Sequence, residues 1–306
     1  MPAFSTHYIF AKELLPFLKE TADFEINEDA VFLGAQGPDI FFFHRILPWM
    51  NGKSLRKYGS ILHRSRPEIL FENMRKYSEI SNEPSIAKSY TYGFILHYAL
   101  DRNCHPYVYF LQNKITDIHK LTNPNTAHNT IEFSIDSYIL NRRLGIKKPV
   151  EFNTAETITD DKNIIAEIGR LLEYVIPKTI GKELTAKQGE TAITDLNYIQ
   201  KLTLDSNGYK KKILSVFETI CAPVILNFKF TAMMRPKDLE KVKKYVNIEK
   251  RKWKSPYSEG VRNETFEELF ELSKDDAKRM IVSFLQNQSC REITENKSFL
   301  TGVEAE

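Results

Sequence analysis

The stretch Tyr92-Gly-Phe-Ile-Leu-His97-Tyr-Ala-Leu-Asp101-Arg-Asn-Cys-His105-Pro106 sets a histidine, an aspartate and a second histidine at four-residue intervals in an apolar run. Residues four apart lie on one face of a helix. Four residues rise about 6 Å, so two such side chains can lean toward one ion. His97 and Asp101 therefore read as a metal-binding pair on one helical turn. The plainer alternative is a buried helix with ordinary polar residues. Burying this much charge among Phe, Ile, Leu and Ala costs several kcal/mol unless it is paired or metal-bound, which favours the metal. Pro106 disfavours helical geometry at His105 and clashes with the carbonyl four residues back. The helix is therefore expected to end near Cys104, with His105 turned toward a different ion.

Only 12 glycines and 13 prolines punctuate 306 residues, which favours long helices. Twenty phenylalanines and 14 tyrosines supply a large core. The expected fold is an all-α multi-helix bundle. A formal charge of +3 selects no partner by itself. The three cysteines are scattered and form no CxxC motif, and the start carries no basic, apolar leader, so a cytoplasmic setting is expected. The most apolar long segment, Ile213 to Met234, contains Glu218, Pro223, Asn227 and Lys229. A charge in mid-membrane costs about 2.5–3.5 kcal/mol, so a buried core helix is expected there instead.

Along the chain, Ser5 and Thr6 suit the N-cap of a helix to Lys19, with His7 in its first turn. A short helix over Asn27–Gln36 leads into Gly37-Pro38-Asp39, a turn with a mechanism. Asp39 is either an N-cap or a carboxylate held rigidly at a loop–helix junction. His44 ends a Phe run and is a candidate site residue, and the isolated His63 precedes the helix Glu68–Ser81. Pro84 opens the helix of His97. His128 and Glu132, again four apart, begin a helix to Arg143, while His119 reads as surface.

Thr6-His7 with Ala11, Gln36-Gly-Pro-Asp39, Leu62-His63, His97-xxx-Asp101-xxx-His105-Pro106 and His128-xxx-Glu132 together resemble the zinc-dependent phospholipase C family. Its relatives include secreted zinc nucleases of the same helical superfamily. The resemblance covers roughly residues 5–143. It implies two or three zinc ions in a cleft between helices. Asp39, His63, His97 and Asp101 would hold the first ion. His105, His128 and Glu132 would hold the second. His7 and Asp101 would contribute to the third, with Asp101 bridging. Asp39 would also orient or deprotonate the attacking water, making it the catalytic residue. Secreted members complete the third site with a processed N-terminal residue, a tryptophan in phospholipases. This chain has no tryptophan there, and Pro2 would supply the amine if Met1 were removed.

The implied function is hydrolysis of a phosphoric ester, a phospholipase C-like phosphodiesterase reaction. The implied partners are a phospholipid or other phosphodiester substrate and a transient contact with a membrane surface, with no obligate protein partner. The alternative is a metal-bearing binding or structural domain of the same fold that hydrolyses nothing. HExxH, an adjacent His-Asp pair and Glu-xx-His are all missing, so zincin, HD-type and di-iron readings lack their ligands.

Residues 1–148 are expected to form the metal-binding core and 149–306 to extend the bundle, with 149–159 as a linker. In that second part, Asp161–Ile176 and Thr265–Leu285 read as helices and Gly181–Glu190 as a polar loop, with helical spacing resuming from Leu196. Lys237–Lys254 is dense in Lys and Arg that could meet phospholipid headgroups or nucleic acid, but the helical stripe of Leu239, Val242, Tyr245 and Val246 favours a solvated face; Glu295–Glu306 reads as a mobile end.

Overall fold

A computed structural model describes residues 3–118, 123–225 and 229–305, which form an all-α protein. Its first helices are α1 (Phe4–Thr21) and α2 (Glu28–Gly34), the second capped by Asn27, whose side chain accepts from the Ala30 amide. A 3₁₀ turn over Gly37–Phe43 follows, then α3 (Arg56–Leu62) and α4 (Pro67–Ile80). The long α5 (Pro84–Ile118) and α6 (Pro124–Leu144) come next. After two short 3₁₀ turns lie α7 (Lys162–Ile180), α8 (Ala186–Thr203) and α9 (Tyr209–Ile225). The one-turn α10 (Leu239–Val242), α11 (Phe266–Leu285) and α12 (Cys290–Thr294) complete the set. Extended pairing among the described residues is confined to two isolated bridges, Trp253 with Arg262 and Lys297 with Glu304. Among the described residues, no helix is long and apolar enough to cross a membrane.

α5 is the axis, packed by α1, α2, α4, α6, α7 and α11. It does not end near Cys104 but runs through Pro106 to Ile118. A mid-helix proline costs about 3 kcal/mol, and burial of Tyr107, Val108 and Leu111 beyond it offsets that loss. The Arg102 carbonyl, which Pro106 deprives of its helical donor, faces Gly302, where a Cβ would stand 2.5 Å from that oxygen. The last residues of the chain thus cover the interrupted turn. They are not a free end: Phe299 is fully buried, and the Tyr98 hydroxyl donates to the Lys297 carbonyl at 2.6 Å.

Other expectations need correcting. α1 starts at Phe4, so Ser5 and Thr6 lie inside its first turn and cap nothing. Thr6 instead donates from its amide and its hydroxyl to Asp136 Oδ1 on α6, at 2.7 and 2.9 Å. Arg235 Nε holds the other Asp136 oxygen at 2.9 Å. This buried network fixes the N-terminus of α1 against α6. The segment 149–159 is packed rather than loose, since Thr154 and Ala155 are buried and the Thr154 hydroxyl meets that of Ser5. α8 begins ten residues before Leu196, because Thr185 and Gln188 form a capping box. The basic segment from Lys237 gives one helical turn and a 3₁₀ turn rather than a long helix. The core-helix expectation for Ile213–Met234 fails at its start, where Ile213, Val216 and Phe217 face outward; residues 226–228 of that span lie outside the described residues. α11, by contrast, occupies the expected Thr265–Leu285 span, with Thr265 and Glu268 as its capping box.

Candidate metal centre

Five elements deliver eight side chains to one region. α1 brings His7, the 3₁₀ turn brings Asp39, and His63 follows the last turn of α3. α5 brings His97, Asp101 and His105, and α6 brings His128 and Glu132. Ligand atoms lie within 4.8 Å of one another in three groups: His7, Asp39 and His97; His63, His97 and Asp101; and His105, His128 and Glu132. The first two share His97 and interleave as a cluster of five. The third is the set that the resemblance implies for one ion. Asp101 faces both sides of the cluster of five. Its Oδ1 is 3.3 Å from His7 Nε2, and its Oδ2 is 3.1 and 3.5 Å from the Nε2 atoms of His97 and His63. His63 Nε2 is also 3.4 Å from Asp39 Oδ1, and His128 Nε2 is 2.8 Å from Glu132 Oε1. Asp39 is not an N-cap; its carboxylate belongs to this cluster.

The donor set fits zinc, which takes imidazole nitrogen and carboxylate oxygen. Four of the histidines have Nδ1 against an oxygen that can only accept. His97 donates to the Ala35 carbonyl at 3.0 Å, His63 to Gly59 at 2.7 Å, His105 to Phe299 at 2.8 Å, and His128 to the Gln112 side chain at 2.7 Å. That fixes the tautomer and presents each Nε2 lone pair, the arrangement usual around metal-binding histidines. His105 Nδ1 lies 3.7 Å from Asp101 Oδ2, so the Phe299 carbonyl is its nearer partner. The Nε2 atoms of His7, His63, His97 and His105, both Asp101 oxygens and Asp39 Oδ1 are buried with no hydrogen-bond partner. An unpartnered buried polar atom costs about 1–3 kcal/mol, and so many converging on one volume form groups that could hold metal ions.

Burial, then the stacked His97 ring 4.2 Å away, pushes His7 down to about 4. Burial also holds His105 and His128 well below the ordinary histidine value, which keeps them neutral as ligation requires. For Asp101 burial opposes ionisation, yet His97 and His105 hold its carboxyl well below the usual range. Asp39 is raised to about 6 by burial. The third group is the more open end: His128 is 18% exposed and Glu132 7%, against 0–2% for the side chains of the other six residues.

Gly37 fixes how closely the Asp39 turn meets α5. Its φ is +54°, and a Cβ there would stand 2.4 Å from His97 Cδ2 and 2.7 Å from Nε2. Gly37→Ala should therefore displace the imidazole and strain the turn. The expected outcome is a loss of about 2–4 kcal/mol in stability, with weaker zinc retention against a chelator. Unchanged retention would mean that the turn can yield without moving His97.

His44 joins none of the three groups; its Nδ1 accepts from the Leu55 amide at 3.1 Å. His119, Met1 and Pro2 lie outside the described residues, and with them the surface reading of His119 and the proposed terminal amine. Sequence reasoning missed Ala35, Gly59, Gln112 and Phe299. Three of these act through main-chain carbonyls, which every residue type carries. All eight candidate ligands lie within residues 6–183, which match the family model described as zinc dependent phospholipase C. No curated protein and no solved structure matches the chain.

Proposed function

The chain belongs to the zinc-dependent phospholipase C family, and from that premise we propose that it is a zinc-dependent phosphodiesterase of phospholipase C type. The observation that carries this is the set of buried Nε2 and carboxylate atoms, without partners in the chain, that converge on one volume. His7, Asp39, His63, His97 and Asp101 would hold zinc in the cluster of five, and His105, His128 and Glu132 would hold a further ion. Bound zinc would polarise a phosphoryl oxygen and make a water acidic enough to attack. The carbonyls behind His63, His97 and His105 lock those rings, so little reorganisation accompanies the reaction. Asp101 keeps negative charge between the three imidazoles around it. Asp39, with Oδ1 unpartnered in the chain, orients the attacking water and accepts its proton. Substrate enters at the more open His128 end. Cys104 and Cys290 are free and buried, which suits a reducing compartment such as the cytoplasm.

The test is turnover of the zinc-loaded chain on a panel of phospholipids and nucleotide diesters. Asp39→Asn should lower kcat by about 10²-fold or more, while Glu259→Gln, fully on the surface, should leave it unchanged. Equal loss in the two variants would remove Asp39 from the mechanism. Fully metal-loaded chain that cleaves none of the panel would overturn the hydrolase reading in favour of a metal-bearing binding domain.

A further inference from the structure

Over its first ten residues α9 turns apolar side chains outward. Its inward face is polar: Glu218 is buried and accepts from the Thr231 amide at 2.9 Å and from the Thr231 hydroxyl at 2.5 Å. Lys211, one helical face with Glu218, donates to the Met234 carbonyl at 2.7 Å. Its outward face is apolar: Tyr209, Ile213, Val216 and Phe217 are 67, 69, 63 and 59% exposed. At about 100° per residue these four fall within an arc of roughly 100°, opposite Lys211 and Glu218. Over 209–218 the inward contacts of α9 thus include these charged and polar ones, while four large apolar side chains share one solvent-facing stripe. A stripe of this kind marks an interaction site rather than scattered surface hydrophobics.

The charges around the stripe select its occupant. Lys210 and Lys212 flank the arc on its two sides, and both are exposed. The one acidic residue of α9 over 209–218 is Glu218, which points inward. An apolar stripe edged by lysines, with no acid on that face, is the pattern of a helix lying in a lipid interface. Its apolar side chains enter the acyl boundary while lysine stems reach back to anionic headgroups. A second copy of the chain would offer those lysines no carboxylate along the described face. The placement is also apt. Lys229, four residues beyond α9, donates its amide to Thr126 Oγ1 at 3.0 Å, two residues before His128. Lys229 therefore lies beside the open end of the metal centre.

We propose that the outward face of α9 is an interfacial docking surface for membranes bearing anionic lipid. It lies outside the span matched by the family model. The test is co-sedimentation of the full, zinc-loaded chain with vesicles of phosphatidylcholine and phosphatidylserine in equal parts, and with phosphatidylcholine alone. Binding needs no turnover, so an inactive chain that docks and an active chain that does not are told apart. The parent should bind the mixed vesicles more tightly, and less so at high salt. Ile213→Asp and Phe217→Asp should each lower partitioning by roughly tenfold or more, with unchanged melting temperature because both side chains are already in solvent. Lys212→Glu should remove the preference for anionic vesicles. The proposal is overturned if the parent stays in the supernatant with both vesicle types, or if the Asp variants bind as well as the parent. It is equally overturned if the parent is a dimer that Ile213→Asp dissociates, since the stripe would then be a protein interface.

Discussion

Asp101→Ala should lose more zinc per chain than Glu132→Ala, and its melting temperature should fall further. The two residues occupy equivalent places in sequence, each one turn after a histidine. Their surroundings differ. Both Asp101 oxygens are buried without a hydrogen-bond partner in the chain, one toward His7 and the other toward His97 and His63. A carboxylate can offer one oxygen to each of two cations, whereas an imidazole offers one nitrogen to one. Glu132 belongs to a single group, with His128 and His105. Removing Asp101 therefore disturbs two positions, and it removes the negative charge that shields neighbouring cations from one another. Because metal affinity is folding free energy, the lost ions appear as lost stability, and a chelator should narrow the gap between the variants. The measurement is zinc per chain by elemental analysis, with both variants dialysed against one buffered zinc activity. Equal stoichiometry would mean that Asp101 serves one ion only.

The sequence was most informative where chemistry and helical period coincide. His97 with Asp101, and His128 with Glu132, announce themselves because ligand types four apart on a helix share a face. The isolated His7, Asp39 and His63 gained meaning only together, through their order along the chain. What stayed hidden depends on long-range packing. Pro106 argued for a helix end, and local propensity was overridden by burial of Tyr107, Val108 and Leu111 and by the last residues of the chain lying over the Arg102 carbonyl. Ile213, Val216 and Phe217 read as core because apolar content reports that hydrophobic side chains are present, not which way they face. Only the partners of Glu218 and Lys211 fix the direction. Ser5 and Thr6 looked like caps because a cap and a buried hydroxyl are the same residue types. Asp136, 130 positions away from Thr6, decides between them.

The end of the chain is where sequence and structure differ most, and it yields the second large effect. Phe299 packs its ring against Tyr98, His63 and His97, with centroids 4.6, 5.7 and 6.3 Å away, while its carbonyl accepts the His105 Nδ1 proton at 2.8 Å. One residue thus fills the core beside the cluster of five and orients a ligand of the other group. A chain ending at Asn296 should lose both. Emptying a site of this size costs about 3–5 kcal/mol by analogy with Phe→Ala. Loss of the oxygen behind a ligating histidine typically weakens metal affinity 10–100-fold. Phe299→Leu separates the two contributions, because it shrinks the side chain and keeps the carbonyl. It should lower the melting temperature while zinc at the His105, His128 and Glu132 group resists a chelator nearly as in the parent. Chelator titration at a temperature where all three proteins are folded reads this directly. If the truncated chain held that ion as firmly as Phe299→Leu, the carbonyl would have no part in ligation and Phe299 would act through packing alone. If both lose it equally, the ring rather than the carbonyl sets the His105 geometry.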